Sequence, residues 1–423
     1  MADWKKFKVL EFASLVGGGT PDTKNSRYWE GDISWICPSD LTGYTNVYIS
    51  KGANSITSAG LQNSSAKMLP KETVLVSSRA PVGYVAIAAN PLCTNQGFRS
   101  LIIKEKVADP KFIYYSLKVY RSVLEAFASG ATFPELSGSS FKKIEIPLPL
   151  LPEQQRIASI LSAYDDLIEN NNKRIALLEQ TAEQIYKEWF VRMRFPGYEN
   201  AEFEKGLPKW EITPLSAILK LISGYAFKGD DFLDTPTKNV VVRMGNFNVS
   251  RGLRFDTNAK YFPDGYHVKS QHKLSAGDLL MVLSDVTRDG SIIGNVGIVP
   301  NDDCNYILNQ RVSKIVCDEK LKLFLYCHLS SVSFKNYCLS RADSATVLNL
   351  SNRHIYEYKL LLPPEDLIKQ FQNIVEPILT EIELLHLMKD KLKQTRDLLM
   401  PRLISGKLGV KEIKEAQLSK AAV

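Results

Sequence analysis

Short apolar runs separated by glycine, proline, asparagine and serine fill residues 1–150. Val74-Leu75-Val76, Tyr84-Val85-Ala86-Ile87 and Leu101-Ile102-Ile103 are bounded by such turn formers, which predicts a series of short strands. One stretch follows a different period. Phe112, Tyr115, Val119, Val123 and Phe127 recur at helical spacing and predict a helix over 111–127. Pro147, Pro149 and Pro152 then stiffen the chain, because each proline disfavours helix at the residue before it.

From Pro152 to about Arg192 the pattern becomes a heptad. Leu161, Ile168, Ile175, Ala182 and Trp189 fall on one seam; Ile157, Tyr164, Asn171, Leu178 and Ile185 fall on the other. Pro152 suits a first helical position, and Glu153 suits the positive end of the helix dipole. A helix of about 40 residues at about 1.5 Å each spans roughly 60 Å. Asn171 interrupts the seam. It is either a buried polar group that fixes register or, with Asn170 and Asn172, the site of a bend.

Residues 196–205 are polar and lack either period, which predicts a linker. Short strands resume at Val240-Val241-Val242, Leu279–Leu283 and Ile298-Val299. A second heptad begins after Pro363-Pro364. Ile368, Val375 and Ile382 occupy one seam; Phe371, Ile378, Leu385, Leu392 and Leu399 occupy the other. Pro377 inside this segment predicts a kink. Lys389 and Arg396 stand on the first seam, which predicts that packing loosens before Met400-Pro401. A short polar tail follows from Ser405-Gly406.

The two halves match. Trp4, Gly18, Leu69, Gly83, Asn95-Gln96 and Pro152 have counterparts in Trp210, Gly224, Leu274, Gly294, Asn309-Gln310 and Pro364, at offsets between 205 and 214 residues. This spacing is too long for a solenoid and indicates a duplicated β-rich module, each copy followed by one long helix. The fold class expected is α+β. Short connections favour antiparallel packing of the two helices, with a module at each end, a pseudo-two-fold across the rod and the C-terminus returning near Met1. Two similar modules at a fixed separation suit a reader of two different targets.

Composition narrows the classes. Hydrophobic residues make up 44% of the 423 and charged residues 23%, which allows two or three cores. The longest apolar runs, such as Ile146–Leu151, are far too short to cross a bilayer, and no segment resembles a signal peptide. The six cysteines form no CxxC, and Cys317, Cys327, His328 and Cys338 lack metal-site spacing, so buried thiols in a reducing cytoplasm are expected. A net charge of +7 and a pI near 8.8 permit nucleic-acid binding and equally suit plain solubility.

Motifs for chemistry are missing from the sequence. Gly17-Gly18-Gly19-Thr20 lacks the lysine of a phosphate loop and reads as a turn. There is no GxSxG or HExxH, and the five histidines are isolated. Adenine methylation needs an Asn/Asp-Pro-Pro-aromatic motif, of which Asn90-Pro91-Leu92 is the nearest and fails. Pro21-Asp22 and Glu30 do not supply nuclease spacing. Intrinsic catalysis is not expected.

Several segments together resemble the specificity subunit of type I restriction–modification systems. They are Ile146 to Ile157 (IPLPLLPEQQRI), Glu188-Trp189-Phe190-Val191-Arg192, Tyr358 to Glu365 (YKLLLPPE) and Leu399 to Leu408 (LMPRLISGKL). Gly18-Gly19-Thr20-Pro21, Tyr28 to Ile33 (YWEGDI), Ser78 to Gly83 (SRAPVG) and Gly130-Ala131-Thr132 resemble that family's target recognition domains. The second helix departs, reading Glu365-Asp366-Leu367-Ile368-Lys369-Gln370 in place of Glu-Gln-Gln-Arg-Ile.

The resemblance implies target recognition domains at 1–150 and 196–360, helices at 151–195 and 361–405, and a tail at 406–423. Each domain would read one half of a split, asymmetric DNA site. The helical pair would act as a ruler and dock two modification subunits. Those subunits would hold S-adenosylmethionine and flip the target adenines, and a motor–nuclease subunit using ATP and Mg would complete the complex. The chain itself would hold no cofactor and work in a prokaryotic cytoplasm. A solitary DNA-binding protein and a coiled-coil scaffold for proteins are the competing readings.

Base edges are read by arginine, asparagine and glutamine, and phosphates by lysine and arginine. Candidates in the first module are Lys24, Arg27, Tyr28, Arg79, Asn95, Gln96 and Thr132. Arg79 lies in a turn that should expose it. Candidates in the second are Lys228, Arg243, Asn246, Arg288, Asn309, Gln310, Arg311 and Arg341, with Arg288 in a turn-rich insertion. Asn95-Gln96 and Asn309-Gln310 recur although the modules should read different bases, which favours a structural task for them.

Overall fold

The computed structural model describes residues 4–79, 81–130, 134–249, 252–255, 259–287, 289–344 and 347–410. They form two units: residues 1–173 with 385–423, and residues 174–384. Both are mixed helix and sheet.

In the first unit a five-stranded sheet runs in the order Ala13–Gly17, Phe98–Ile103, Val74–Ser77, Val85–Ala88, Tyr48–Ile49, with only the last pair parallel. A second sheet places Trp29–Ile36 between Asn54–Ile56 and the parallel Cys93–Thr94. The strands from Val74 to Ser77 are buried at every position, as a strand covered on both faces must be. Asp109 caps a helix over Pro110–Val119 by accepting from the Phe112 amide at 2.9 Å. The single helix expected over 111–127 is divided: Tyr120 leaves helical geometry, and a second helix runs over Arg121–Ala126. Phe112 and Tyr115 are buried and Val119 and Val123 half-buried, as the spacing expects, but beyond the turn Leu124 is buried and Phe127 is exposed.

The first unit is closed by distant segments. Lys5–Lys8 pairs antiparallel with Glu145–Leu148. Trp4 and Phe7 pack on the same core as Ile157, Leu161, Leu403 and Ile404. The first and last described parts of the chain therefore share one core, as the expected return of the C-terminus requires.

The second unit repeats the first four strands of the main sheet, without a counterpart to Tyr48–Ile49. Leu219–Ser223, Val312–Cys317, Leu279–Val282 and Val296–Ile298 lie in the order of their counterparts. The Ala13↔Ile103 and Val74↔Leu101 pairs reappear as Leu219↔Cys317 and Leu279↔Ile315. Even the parallel pair Trp35↔Cys93 recurs as Val241↔Ile307. The supposed linker is partly folded. Phe203–Glu204 and Leu207–Pro208 make a hairpin whose turn residues Lys205 and Gly206 are both left-handed. Phe203 stacks against the buried Phe195, which supplies the apolar anchor.

One long helix spans Leu151–Tyr186, followed by a π turn at Lys187–Val191; the other spans Glu365–Ile404 and is not interrupted at Pro377. Helix 151–186 is unbroken at Asn170–Asn172, and Asn171 is buried, as a seam polar group is and a bend at the surface is not. In the first unit Leu161, Ile168 and the N-terminal Ile157 are buried, and Asp165 meets Arg396. In the second, Arg174 pairs with Glu381, and Trp189 packs on Phe371 with ring centroids 5.8 Å apart. Within each unit, rising numbers on one helix meet falling numbers on the other, so the segments are antiparallel. Ile175, Ile368, Val375 and Leu385 are buried; Leu178, Ile185, Ile378 and Ile382 are half-buried.

Between Leu385 and Arg396 no residue is buried and Leu392 is half-buried, in line with the expected loosening before Met400, and packing tightens again beyond that stretch. Leu403 and Ile404 are fully buried, and Arg396 is buried in an ion pair with Asp165. Asp165 also accepts the Tyr115 hydroxyl at 2.5 Å. A charge on the seam was read as an interruption, whereas here it has a buried partner.

Candidate nucleic-acid interface

One corner is built the same way in both units. In the first, Gly19 donates to the Thr94 carbonyl at 2.9 Å, and a Cβ on Gly18 would overlap the Asn95 and Thr94 carbonyl oxygens. In the second, a Cβ on Gly224 would overlap the Asn309 carbonyl, and Gln310 donates to the Tyr225 carbonyl at 2.8 Å. A bare α-carbon is needed because two backbones touch. The Asn95 carboxamide oxygen accepts from Gly97 at 2.9 Å, and Asn309 is buried. The recurrence of Asn-Gln thus accompanies a repeated backbone crossing. Gln96 and Gln310 remain exposed beside it; Gln96 accepts from the Thr20 hydroxyl.

Asn246 is not available to a ligand. Its side-chain oxygen accepts from the Arg243 amide at 2.9 Å, its nitrogen donates to the Arg254 carbonyl at 3.1 Å, and the residue is 1% exposed. Asp40 does the same task in the first unit, accepting from the Cys37 amide at 2.7 Å. The amide that suited adenine in the sequence is a capping group in the fold.

The remaining candidates are placed as follows. Lys24 and Arg27 are exposed on the loop before Trp29, and Tyr28 is half-buried. Arg79 is half-buried rather than exposed, with Nε 3.4 Å from where a Cβ on Gly97 would sit. It makes no ion pair with the described residues. Lys228 is exposed at the head of a short turn, and Arg341 is exposed with its guanidinium 5.7 Å from the Tyr337 ring. Arg243 lies 6.0 Å from the Phe232 ring; burial lowers its pKa, with Asp234 pulling the other way. Thr132 and Arg288 lie outside the described residues.

Arg311 has the most defined setting. Its backbone is left-handed, φ +73°, a region that suits glycine. Its Nη1 donates to Ser284 Oγ at 3.2 Å and to Asn349 Oδ1. Asn349 is oriented in turn by donating to the Val347 carbonyl at 3.0 Å. Neither Ser284 nor Asn349 was singled out in the sequence; the repeat was the available signal, since Ser284 stands at the position of Arg79.

The insertion that follows is tied at its base. Buried Asp285 accepts from the Thr287 amide and hydroxyl at 2.8 and 2.7 Å and from the Ile292 amide at 2.6 Å. Lys335 Nζ donates to the Ser291 and Ile293 carbonyls at 3.0 and 2.7 Å. Burial lowers the Lys335 pKa. Among the described residues no group of three or more His, Cys, Asp or Glu is placed to hold a metal, and no helix is long and apolar enough to cross a membrane.

Comparison with known proteins agrees with this arrangement. Residues 1–180 match the family described as "Type I restriction modification DNA specificity domain". The chain is 34% identical to the type I restriction enzyme MjaIX specificity subunit of Methanocaldococcus jannaschii, over 97% of this chain and 95% of that one. It is 26% identical to the MjaVIII specificity subunit of the same organism, over 97% and 94%. The crystal structure of a type I restriction–modification S subunit from M. genitalium has the same fold, with a TM-score of 0.61 at 19% identity, covering 95% of this chain and 96% of that one. The chain belongs to the type I restriction enzyme specificity subunits.

Proposed function

We propose that this specificity subunit reads a bipartite DNA site, one half with each β-rich unit, and that its two long helices form a coiled-coil spacer between them. The observation that carries the reading is the repeated strand register with unlike side chains at the same corner: Arg79 and Gly97 in one unit, Ser284 and Arg311 in the other. A shared scaffold with different polar groups at one place is what two related but distinct readers need. On this reading the fold is α+β with two similar target recognition domains.

Exposed apolar side chains on both long helices support a docking role. Leu167 and Leu398 are 50% and 72% exposed in the first unit; Leu177 and Ile374 are 63% and 45% exposed in the second. We assign these surfaces to two modification subunits, with S-adenosylmethionine held there and ATP and Mg on a restriction subunit. On this reading the chain positions DNA for chemistry done by its partners and has no reaction of its own.

The test is fluorescence anisotropy of the chain, co-purified with its modification partner, on duplexes carrying mixed sequence. DNA reading predicts affinity that falls steeply with salt as counterions are released. No affinity at low salt refutes it and favours a protein scaffold. Binding by the chain in a host with no modification subunit favours a solitary DNA-binding protein.

A further inference from the structure

Resting on the DNA-reading function above, we infer that Arg311 reads a guanine in the half-site of the second unit, and that Ser284 and Asn349 hold it in place. The repeat makes the case. In the first unit the Ser78 amide donates to the Gly97 carbonyl at 2.7 Å, and the next residue, Arg79, brings its Nε to 3.4 Å from where a Cβ on Gly97 would sit. The equivalent bond in the second unit runs from Leu283 to the Arg311 carbonyl at 2.9 Å. The two residues of the corner are therefore exchanged in kind. Arginine and glycine in one unit become serine and arginine in the other, so the guanidinium rises from the opposite strand.

The second observation is backbone strain. Arg311 adopts a left-handed conformation that its counterpart Gly97 does not, and a side chain in that region is kept where surroundings enforce it. Its surroundings also order the head group. Nη1 is engaged by Ser284 and Asn349, which leaves the edge formed by Nε and Nη2 for a ligand. That edge offers two parallel donors and matches the O6 and N7 acceptors of guanine. No carboxylate pairs with Arg311 among the described residues, and the residue is exposed next to exposed Gln310. An arginine fixed in rotation but unneutralised is suited to base readout rather than to a flexible phosphate contact.

The experiment uses the complex with the modification partner and a duplex carrying its mapped motif. Each guanine is replaced in turn by 7-deazaguanine, which lacks the N7 acceptor. Wild type is expected to lose about tenfold in affinity at one guanine of one half-site. Arg311→Gly is expected to bind that duplex and its parent equally, while keeping wild-type sensitivity in the other half-site. Glycine relieves the strained backbone, so the variant should melt no lower than wild type. Arg311→Gly with the full wild-type sensitivity profile overturns the assignment, as does a motif lacking guanine in both halves. Wild type without any sequence preference overturns the DNA-reading function itself, a different failure.

Discussion

Replacing Arg396 by alanine tests whether the seam charge is structural. Its guanidinium meets the Asp165 carboxylate, with side chains 10% and 7% exposed, and Asp165 also accepts from Tyr115 at 2.5 Å. Removing the arginine leaves a buried carboxylate without a counter-charge, a loss that costs about 3–5 kcal/mol. Typical domains hold only about 5–15 kcal/mol in total, so the first unit should become marginal. The cost is attributable to the orphaned charge if the apolar variant Tyr115→Phe, Asp165→Leu, Arg396→Met stays within about 1–2 kcal/mol of wild type. Hydrogen exchange read on peptides from 112–119 reports the first unit, and peptides from 324–329 give an internal reference in the second. Faster exchange confined to the first unit is the expected result for Arg396→Ala. A loss under about 1 kcal/mol, or equal loss in both units, would refute the reasoning.

Three further outcomes follow from buried groups. Gly18→Ala and Gly224→Ala each push a methyl into a facing backbone and should cost about 1–3 kcal/mol in their own unit, measured by urea unfolding; a neutral result for both would contradict the crossing. His328 is held neutral by burial, its pKa pushed down to about 4, between the Tyr186 and Tyr358 hydroxyls at 2.9 and 3.1 Å. Because its folded pKa lies below the unfolded value of about 6.5, stability of the second unit is complete above about pH 6.5 and declines as pH falls toward 4. His328→Gln should flatten the thermal-melting profile between pH 6.5 and 5, and an unchanged slope would discount the histidine. Leu403→Ala should cost about 2–5 kcal/mol, since its side chain is fully buried in the core of the first unit; circular dichroism melts would show it, and no shift in the first unit would contradict that burial.

Much of the fold was legible because its elements are local. The heptad of 151–192 and the short strands around Val74 and Leu101 follow from period alone. What period missed was pairing across distance. Nothing near Lys5 announces a partner at Leu148, and nothing near Arg396 announces Asp165. Phe127 was placed on the wrong face because a spacing argument presumes one straight helix, and the chain turns at Tyr120. Residue type marks a candidate reader of bases but does not show whether its side chain is already engaged. Asn246 had the right chemistry for adenine and spends it on backbone. Arg311 was singled out without the reason that distinguishes it, because a left-handed backbone and a Ser284–Asn349 brace appear only in three dimensions.

The central claim is that two units on one chain read two halves of a DNA site. A genome-wide map of adenine methylation in the host, with this gene intact and deleted, tests it most directly. The account predicts that one split, asymmetric motif is methylated with the gene present and disappears entirely on deletion. An unchanged methylome would contradict it.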